Sequence, residues 1–437
     1  MSDLPKGWEA STLVDLVTFN PKHDPETNRD QVISFVPMPA VNEHSGTISE
    51  PKERPLAEMW KGFTHFADGD VIFAKITPCM ENGKTAIARD LKNGIACGST
   101  EFHVLRPSEG ILADYLWRYM RQKSFRDEAA KHMTGAVGQR RVPKPYLEQL
   151  RFPLPPLAEQ RRIVEKLDQL SARTRAAKDH LTHVQTLATR AKQATLAAAF
   201  RGKWDTRPLS DLASVGTGAT PKKGNARFYD SGNIPWVTSS VANQDLVTEA
   251  EQYITEAAIK ETNCRVYPSG TLLVAMYGEG KTRGMITKLG IDAATNQALA
   301  AIQLTAPERV HPEWVPWLLQ SKYLEMREMA AGGVQPNLNL GIIKAIEVLL
   351  PPVKEQTEII CRIEAVFARI DRMVAEAGRA AKLLERLEAQ LLAEAFRGEL
   401  VPQDPSDEPA SALLARIREA RANTPKPKRA RKKRVAS

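Results

Sequence analysis

Two Gly-Lys-Thr triplets, at residues 83–85 and 280–282, are candidates for chemistry because they resemble the end of a phosphate-binding loop. Such a loop also needs a glycine five residues before its second glycine, and this chain has Pro78 and Ala275 there. We therefore expect tight turns whose lysines face solvent or a phosphate group. The triplets do not predict nucleotide hydrolysis.

Residues that bind metals or attack substrates show no useful grouping along the chain. His180 and His183 lie three residues apart without a further ligand nearby, so exposed helix positions are the simpler interpretation. No methyltransferase motif and no local Ser/His/Asp or Cys/His grouping occurs. The absence of a Cys-x-x-Cys pair predicts a reduced, cytoplasmic protein without disulfides or a zinc site, because the four cysteines are widely spaced: Cys79, Cys97, Cys264 and Cys361. We expect no active site, metal or cofactor on this chain.

Residues suited to nucleic-acid contact occur in two polar loops. Arginine and lysine read guanine, and asparagine and glutamine read adenine, in the DNA major groove. The loops near residues 134–144 and 332–340 supply these types: Gln139, Arg140, Arg141 and Lys144, and Gln335, Asn337 and Asn339. Other basic residues are suited to phosphate contacts, which position a protein without reading sequence: Lys75, Lys84, Lys222, Lys223, Lys281 and Arg283. The asparagines could instead cap the next element.

The formal charge of +9 does not by itself predict DNA binding. Residues 1–158 and 204–354 are close to neutral, and much of the excess lies in a basic run at 426–434. Within the first neutral part, residues 118–144 carry eight basic and two acidic side chains. Because electrostatic steering depends on local patches, this stretch favours a polyanion contact more than the net charge does.

A tandem repeat organises the chain. Residues 154–202 and 350–398 align without a gap at an offset of 196, with sixteen identities over 49 positions. Each copy opens with Leu-Pro-Pro, continues with Glu-Gln and closes with Ala-Phe-Arg-Gly. The same offset relates Trp8 to Trp204 and Leu13 to Leu209. We predict a duplicated unit made of a variable globular part and a more constant helical part.

Each copy of the repeat is predicted to form one long helix. Proline is common where a helix begins and glycine where it ends. Apolar residues recur at alternating spacings of four and three, which is typical of a coiled-coil seam: Ile163, Leu167, Leu170, Leu181, Val184, Ile360, Ile363, Phe367, Ile370, Val374, Leu384 and Leu391. A helix of about 40 residues is ~60 Å long and cannot bury such a seam alone. We expect an antiparallel pair; the alternative is that each helix packs on its own domain.

The predicted fold class is α+β, with two globular domains alternating with two long helices. Short β-like runs, a helical stretch and a glycine-bearing loop occur in each variable part. The expected boundaries are 1–153 and 203–349 for the variable domains, 154–202 and 350–399 for the helices, and 400–437 for a flexible basic tail. No run approaches the roughly 18 apolar residues of a membrane helix, and the N-terminus has no signal-peptide core, so we expect no membrane contact.

The combination of these motifs resembles the specificity (S) subunit of type I restriction-modification systems. The resemblance rests on two helical segments that open L-P-P-[LV]-x-E-Q and close A-F-R-G, and on the Gly-Gln-Arg-Arg-Val-Pro and Gly-Gly-Val-Gln-Pro-Asn-Leu-Asn loops. It covers about residues 1–400, and the basic tail is not part of it. It implies that each variable domain is a target recognition domain that reads one half of a split, asymmetric DNA site.

The same resemblance implies the partners. The helices would set the unread spacer and dock two modification (methyltransferase) subunits, which methylate adenine with S-adenosylmethionine. Restriction subunits would add ATP- and Mg²⁺-dependent translocation and cleavage, in defence against foreign DNA. The S subunit itself would bind double-stranded DNA without catalysing a reaction.

Two alternatives remain open at the level of the sequence. One is a solitary restriction or methylation enzyme, which the absence of methyltransferase motifs argues against. The other is a coiled-coil scaffold or adaptor without sequence preference. A bipartite motif enriched from random DNA would favour the specificity subunit, and uniform enrichment would favour the scaffold.

Overall fold

The computed structural model describes residues 4–278, 282–331 and 337–423. The described residues form two compact units. Unit 1 consists of those in Met1–His180 and Ala380–Ser437, and unit 2 of those in Leu181–Arg379. The two long helices each contribute residues to both units, so the division does not follow the halves of the sequence.

The first half of the chain alternates short strands with short helices and ends in a long helix. Its strands are β1 (Glu9–Thr12), β2 (Val17–Phe19), β3 (Val32–Val36), β4 (Lys52–Pro55), β5 (Thr64–Ala67), β6 (Val71–Ala74), β7 (Thr85–Ile87), β8 (Ile95–Gly98), β9 (Phe102–Pro107) and β10 (Arg151–Leu154). Its α-helices are α1 (Leu13–Leu16), α2 (Leu56–Met59), α3 (Ala113–Arg121), α4 (Lys123–Lys131), α5 (Lys144–Glu148) and α6 (Leu157–Ala199).

Unit 1 is built on two four-stranded sheets, ordered β2-β9-β6-β7 and β4-β3-β8-β5. Strand β6 is buried at every position, which explains its continuous apolar sequence. Because side chains alternate across a strand, Val71 and Phe73 join one core cluster with the helices, and Ile72 and Ala74 join a second cluster. A separate two-stranded ribbon, β1 with β10, precedes α6.

The second half repeats this plan. Its strands are β11 (Asp205–Pro208), β12 (Ala213–Thr217), β13 (Ile234–Val237), β14 (Leu246–Val247), β15 (Gln252–Ile254), β16 (Val266–Tyr267), β17 (Leu272–Ala275), β18 (Ile286–Leu289), β19 (Ala293–Thr295), β20 (Leu299–Leu304) and β21 (Glu347–Leu350). Its α-helices are α7 (Glu256–Glu261), α8 (Trp314–Ser321), α9 (Tyr323–Ala331), α10 (Leu340–Lys344) and α11 (Val353–Arg397), and α12 (Ala410–Asn423) follows.

Unit 2 has a five-stranded sheet, β12-β20-β17-β18-β14, and a four-stranded sheet, β15-β13-β19-β16. Strand β17 matches β6: Leu272 and Val274 face one core cluster, and Leu273 and Ala275 face another. The ribbon β11–β21 precedes α11 as β1–β10 precedes α6. The duplication in the sequence is therefore a duplication of the fold.

A buried glutamine fixes the start of each long helix. The Gln160 side-chain amide donates to the carbonyls of Gly110 (3.0 Å) and Pro155 (3.1 Å), and its Oε1 accepts from Leu112 N (2.9 Å). The Gln356 amide makes the corresponding bonds to Arg309, Pro351 and His311, each at 2.8 Å. The repeated Glu-Gln motif thus ties the helix to the segment that leads into α3 or α8.

The long helices run antiparallel within each unit. In unit 1, Leu167 shares a core cluster with Leu391, whereas Lys178, further along α6, lies 2.6 Å from Glu388, which is earlier in α11. In unit 2, Lys192 lies 2.5 Å from Asp371, and Leu196 packs in the cluster that holds Ile360 and Phe367. The predicted α+β fold class with paired antiparallel helices is confirmed.

Burial along the helices follows the predicted 4-3 spacing. Ile163, Leu167, Ile360, Ile363 and Phe367 are buried. The other seam positions are half-buried: Leu170, Leu181, Val184, Ile370, Val374, Leu384 and Leu391. Ile163 and Ile360 also belong to the cores of unit 1 and unit 2 respectively, so each helix packs on a globular core as well as on its partner helix.

The expectation of a flexible tail from residue 400 is wrong for residues 400–423. Leu413, Leu414 and Ile417 on α12 are buried in the unit 1 core, and Ala410 N donates to Gly7 O at 2.9 Å. Arg162 pairs with Asp407 at 2.6 Å. An apolar stripe on this short helix outweighs the basic composition of its surroundings. The basic run 426–434 lies outside the described residues.

Candidate nucleic-acid interface

The loop before α5 is exposed at every position from 134 to 140. Its base is held by backbone bonds: Thr134 N donates to Arg141 O (3.0 Å) and Thr77 N to Arg140 O (3.0 Å). At its tip, Val137 is 99% exposed between Gly135 and Gly138. Both glycines have positive φ, at 121° and 80°, which other residues rarely adopt. A fixed base with a protruding tip is a geometry suited to entering a groove.

Gln139 and Arg140 project from this loop with the least internal pairing. Gln139 is exposed, and its backbone N–H donates to Ala136 O at 3.0 Å. The Arg140 guanidinium lies 3.7 Å from Glu81, and its side chain is 44% exposed. An ion pair this long, with both side chains only partly buried, is readily exchanged for a contact with a base edge or phosphate. These two residues remain candidates for base contact.

Arg141 supports the loop internally. Its Nε and Nη2 donate to the two oxygens of Glu101, both at 2.9 Å, and its Nη1 donates to Gln139 O at 2.9 Å. These hydrogen bonds lower the pKa of Glu101. Because a bidentate carboxylate already occupies the planar guanidinium, Arg141 is better placed to hold Gln139 and Arg140 than to read a base.

The predicted contact lysines of unit 1 differ in whether internal partners already occupy them. Lys84 donates to the carbonyls of Val41 (3.1 Å) and Met38 (3.4 Å), so the lysine of the first Gly-Lys-Thr triplet holds a loop, and this geometry does not support its prediction as a phosphate contact. Lys144 pairs with Glu148 one turn later at 2.8 Å. Lys75 is half-buried beside the loop, and its backbone O accepts from Val142 N at 2.8 Å. Of these, Lys75 is the nearest to the loop base.

Much of the predicted basic stretch 118–144 is turned inward. Arg118 is buried and pairs with Asp168. Arg121 donates to His44 O (2.7 Å) and Glu43 O (3.1 Å), and burial lowers its pKa to about 10. Arg126 donates to Glu81 O. With Arg141, four of the eight basic side chains therefore have structural partners, so the expectation of a polyanion contact applies to fewer residues than the sequence suggested.

Unit 2 offers fewer described candidates. Lys222 and Lys223 are exposed before a 3-10 turn (Ala226–Phe228) capped by Asn225. Arg283 is half-buried, with Nη2 3.5 Å from Gly278 O. Asn337 is half-buried. Lys281 and Gln335 lie outside the described residues.

Asn339 caps a helix. Its Oδ1 accepts from Ile342 N at 2.9 Å, at the first turn of α10. This is the structural alternative left open by the sequence, so the interpretation of Asn339 as a base contact is not supported by its geometry. Among the described residues of this second loop, Asn339 therefore differs in role from Gln139 and Arg140 of the first loop.

One cluster escaped sequence reasoning. His23, His65 and Cys97 are separated by 42 and 32 positions in sequence, and strand pairing brings them together in unit 1. Local spacing rules search only neighbouring positions, so they could not find it. None of the described helices is both long and apolar enough to span a membrane.

Comparison with known proteins finds the same family model in both halves of the chain. The family model described as "Type I restriction modification DNA specificity domain" matches residues 5–184 and again 201–376. The type I restriction enzyme EcoAI specificity subunit of Escherichia coli is 43% identical over 169 residues, which cover 38% of this chain and 28% of that subunit. The EcoKI specificity subunit of Escherichia coli K12 is 27% identical over 375 residues, covering 78% and 77% of the two chains.

Solved structures share the fold. A chain from work on complex assembly and conformational transition of the type I R-M system aligns with a TM-score of 0.76 at 21% identity, over 92% of this chain and 100% of that one. The HsdS subunit from Thermoanaerobacter tengcongensis aligns with a TM-score of 0.64 at 23% identity, over 91% and 98%. With a family match over both halves, the chain belongs to the type I restriction modification DNA specificity domain family.

Proposed function

We propose that this chain is the DNA specificity subunit of a type I restriction-modification complex, and that each unit reads one part of a bipartite, asymmetric DNA site. The observation that carries the proposal is the duplication: two units share one plan and differ in their loops. A homodimer of identical readers requires a palindromic site, because protein symmetry is matched by DNA symmetry. Two non-identical readers on one chain suit an asymmetric site.

In unit 1, the loop that contains Gln139 and Arg140 is the proposed reader. An amide and a guanidinium form bidentate hydrogen bonds with adenine and guanine edges, respectively. Arg141, neutralised by Glu101, holds the loop base in place. Lys75 in unit 1 and Lys222 and Lys223 in unit 2 are proposed phosphate contacts, which fix position without reading sequence.

The paired helices are the proposed ruler and docking platform. Both α6 and α11 contribute residues to both units, and we propose that the length of these helices sets the unread spacer. We propose that two modification subunits dock on these helices and supply adenine methylation with S-adenosylmethionine, and that restriction subunits supply ATP- and Mg²⁺-dependent cleavage. The chain itself is proposed to be non-catalytic and to act in the cytoplasm.

The decisive experiment is selection from a random double-stranded DNA library with the chain and its modification subunits. A split motif with an unread spacer is the expected result. Uniform enrichment would favour the scaffold without sequence preference. Methyl transfer from labelled S-adenosylmethionine by the purified chain alone would overturn the non-catalytic assignment.

The reader loop can be tested by substitution in the same selection. Gln139→Ala and Arg140→Ala should each weaken discrimination at one position of one half-site by about 1–3 kcal/mol and leave the other half-site unchanged. Arg151→Ala, an exposed arginine of the same unit, is the matched control. An unchanged motif in both loop variants would exclude this loop as the reader.

The ruler can be tested by lengthening both helices together. Seven residues inserted after Ala177 and after Leu384 preserve the 4-3 seam and add two helical turns. At ~1.5 Å per residue and ~3.4 Å per base pair, the unread spacer should grow by about three base pairs. A stable variant whose spacer does not change would refute the ruler.

A further inference from the structure

The cluster of His23, His65 and Cys97 is the one group of three potential metal ligands among the described residues. Cys97 is fully buried, and His65 and His23 are 2% and 7% exposed. One ligand atom from each residue lies within 4.8 Å of the other two. The site belongs to unit 1 alone and lies outside the proposed DNA reader.

Strand pairing places two of the three side chains. In the antiparallel pair β5–β8, His65 lies directly opposite Cys97. Side chains at opposite positions of an antiparallel pair project from the same face of the sheet, so both are held on rigid backbone. His23 follows β2, a strand of the other sheet, and its ring stacks on that of His65 with centroids 4.5 Å apart.

Hydrogen bonds orient the ligand atoms. His65 Nε2 donates to Trp60 O at 3.0 Å, so its Nδ1 carries the lone pair, and that Nδ1 accepts from His23 N at 3.3 Å. A carbonyl that accepts from the distal ring nitrogen of a histidine is the usual outer support of a metal ligand. His23 Nε2 lies 3.0 Å from Ala96 O and 3.9 Å from Cys97 Sγ.

We propose that His23, His65 and Cys97 bind one Zn²⁺ ion through two imidazoles and a thiolate, with water in a fourth position. Zn²⁺ prefers this set of nitrogen and sulfur ligands, at about 2.0–2.1 Å for nitrogen and about 2.3 Å for sulfur. The 3.9 Å separation of His23 Nε2 and Cys97 Sγ must therefore contract by a few tenths of an ångström, and the ligand atoms, which lie within 4.8 Å of one another, must all move closer on binding. The expectation of no zinc site relied on Cys-x-x-Cys spacing, which such a site does not need.

Binding has a defined proton balance. Coordination requires the thiolate of Cys97 and the neutral imidazoles of His23 and His65. The ion replaces the thiol proton, which leaves to solvent. The His65 Nδ1 lone pair exchanges the backbone N–H of His23 for the ion. His23 transfers its proton from Nε2 to Nδ1 and releases Ala96 O, so one proton is lost per ion bound.

The consequence is a cross-link between the two sheets of unit 1. His23 brings the segment after β2, and His65 and Cys97 bring β5 and β8. Because the unfolded chain has no preformed site, the binding free energy adds to the stability of unit 1. Unit 2 has no corresponding group of three among its described residues.

Titration of the full-length, reduced chain with Co²⁺ tests the proposal. Wild type should develop a thiolate-to-cobalt charge-transfer band that saturates at one equivalent and is displaced by Zn²⁺. Cys97→Ser should lose this band. Cys264→Ser, which changes a buried cysteine of unit 2, should retain it. The absence of the band in wild type, or its persistence in Cys97→Ser, would overturn the proposal.

A thermal readout separates loss of the site from loss of the fold. Zn²⁺ should raise the Tm of wild type and of Cys264→Ser, and should leave the Tm of His65→Gln and Cys97→Ser unchanged. Circular dichroism before metal addition establishes that each variant is folded. An equal rise of Tm in all four proteins would place the metal elsewhere and contradict the assignment.

Discussion

The two units make the same framework contacts with different residues. Tyr115 Oη donates to Pro153 O in unit 1, and Trp314 Nε1 donates to Leu349 O at the matching place in unit 2. Arg89 pairs with Asp114, and Lys288 pairs with Glu313. The contact is retained while the residue type changes, so the duplicated plan constrains geometry and permits sequence divergence.

The units differ in how the core is completed. Helix α12 covers unit 1 with Leu413, Leu414 and Ile417, and Gly110 lies so close to Ile417 that an added Cβ would be 2.3 Å from its Cδ1. In unit 2, Arg309 O accepts the bond from Gln356 that Gly110 O accepts from Gln160 in unit 1. Arg309 is exposed, so no segment of the described chain covers this position. Unit 1 therefore depends on a segment outside the repeat.

Truncation should expose this difference most strongly. Deleting residues 410–437 removes three buried aliphatic side chains and should lower the free energy of unfolding of unit 1 by about 5 kcal/mol or more, with unit 2 unchanged. Urea unfolding followed by hydrogen exchange resolves the two units. Deleting only 424–437 is the control. Equal destabilisation by both deletions would show that α12 does not stabilise the core.

The buried glutamines should behave alike in the two units. Gln160→Ala and Gln356→Ala each leave backbone groups without partners, and each should cost about 2–4 kcal/mol. The controls are Gln169→Ala and Gln390→Ala, exposed glutamines on the same helices that bond only a glutamate one turn away. Urea unfolding provides the measurement. A loss in one unit alone would mean that the motif is conserved in sequence and not in role.

Acidification should weaken unit 1 before unit 2. His103 on β9 is buried, with its Nε2 2.9 Å from Val142 O, and the matching position on β20 is Ala300. Burial lowers the pKa of His103, with Lys75 and Lys144 acting in the same direction and Glu101 against them. Because the pKa of His103 is lower in the folded chain than the ordinary value of 6.5, the unfolded chain binds more protons than the folded chain in acid. The stability contributed by neutral His103 is therefore complete above pH 6.5 and is lost as the pH falls below that value.

Hydrogen exchange at pH 7 and pH 5 tests this expectation in both units. His103→Asn should reduce the difference between the units, because the side chain no longer titrates. The exposed His180→Asn is the matched control. If acid weakens both units equally in wild type, His103 is not the cause.

The smallest effect concerns the ion pairs between the helices. Lys192 and Glu388 occupy matching positions of the repeat, and each pairs across to the other helix with a residue of opposite charge: Asp371 and Lys178. Lys192→Glu should cost ~0.2–1 kcal/mol because these groups are partly exposed. Adding Asp371→Lys should restore the loss in a double-mutant cycle measured by urea unfolding. An additive cycle would show that the pair is not coupled.

Local signals in the sequence were sufficient for the framework. The Pro-Pro starts and the 4-3 seam depend only on neighbouring residues, and the 196-residue offset appears when the chain is aligned with itself. Together these features predict two helices and two similar domains. The same local approach missed α12, because its three buried aliphatic residues form a short stripe beside a strongly basic run. Composition there obscured the periodicity.

The roles of polar side chains depended on tertiary partners that spacing does not reveal. Arg141 meets Glu101, 40 residues away, and Lys84 meets the carbonyls of Met38 and Val41. Asn339, by contrast, caps a helix three residues on, and a local rule could anticipate that alternative. Residue type therefore predicted which polar side chains lie in or near a loop. Tertiary contacts determine which of these side chains are free of internal partners and so available for DNA contact.

The bond from Ala410 N to Gly7 O joins the two ends of the described chain within unit 1. Unit 2 is drawn from one unbroken stretch, Leu181–Arg379. During synthesis the ribosome therefore completes every part of unit 2 before the last pieces of unit 1 emerge. Domains generally fold as units as they are made. We therefore expect unit 1, which is encoded first, to complete its fold last, and the apolar surface that α12 covers to stay exposed until then.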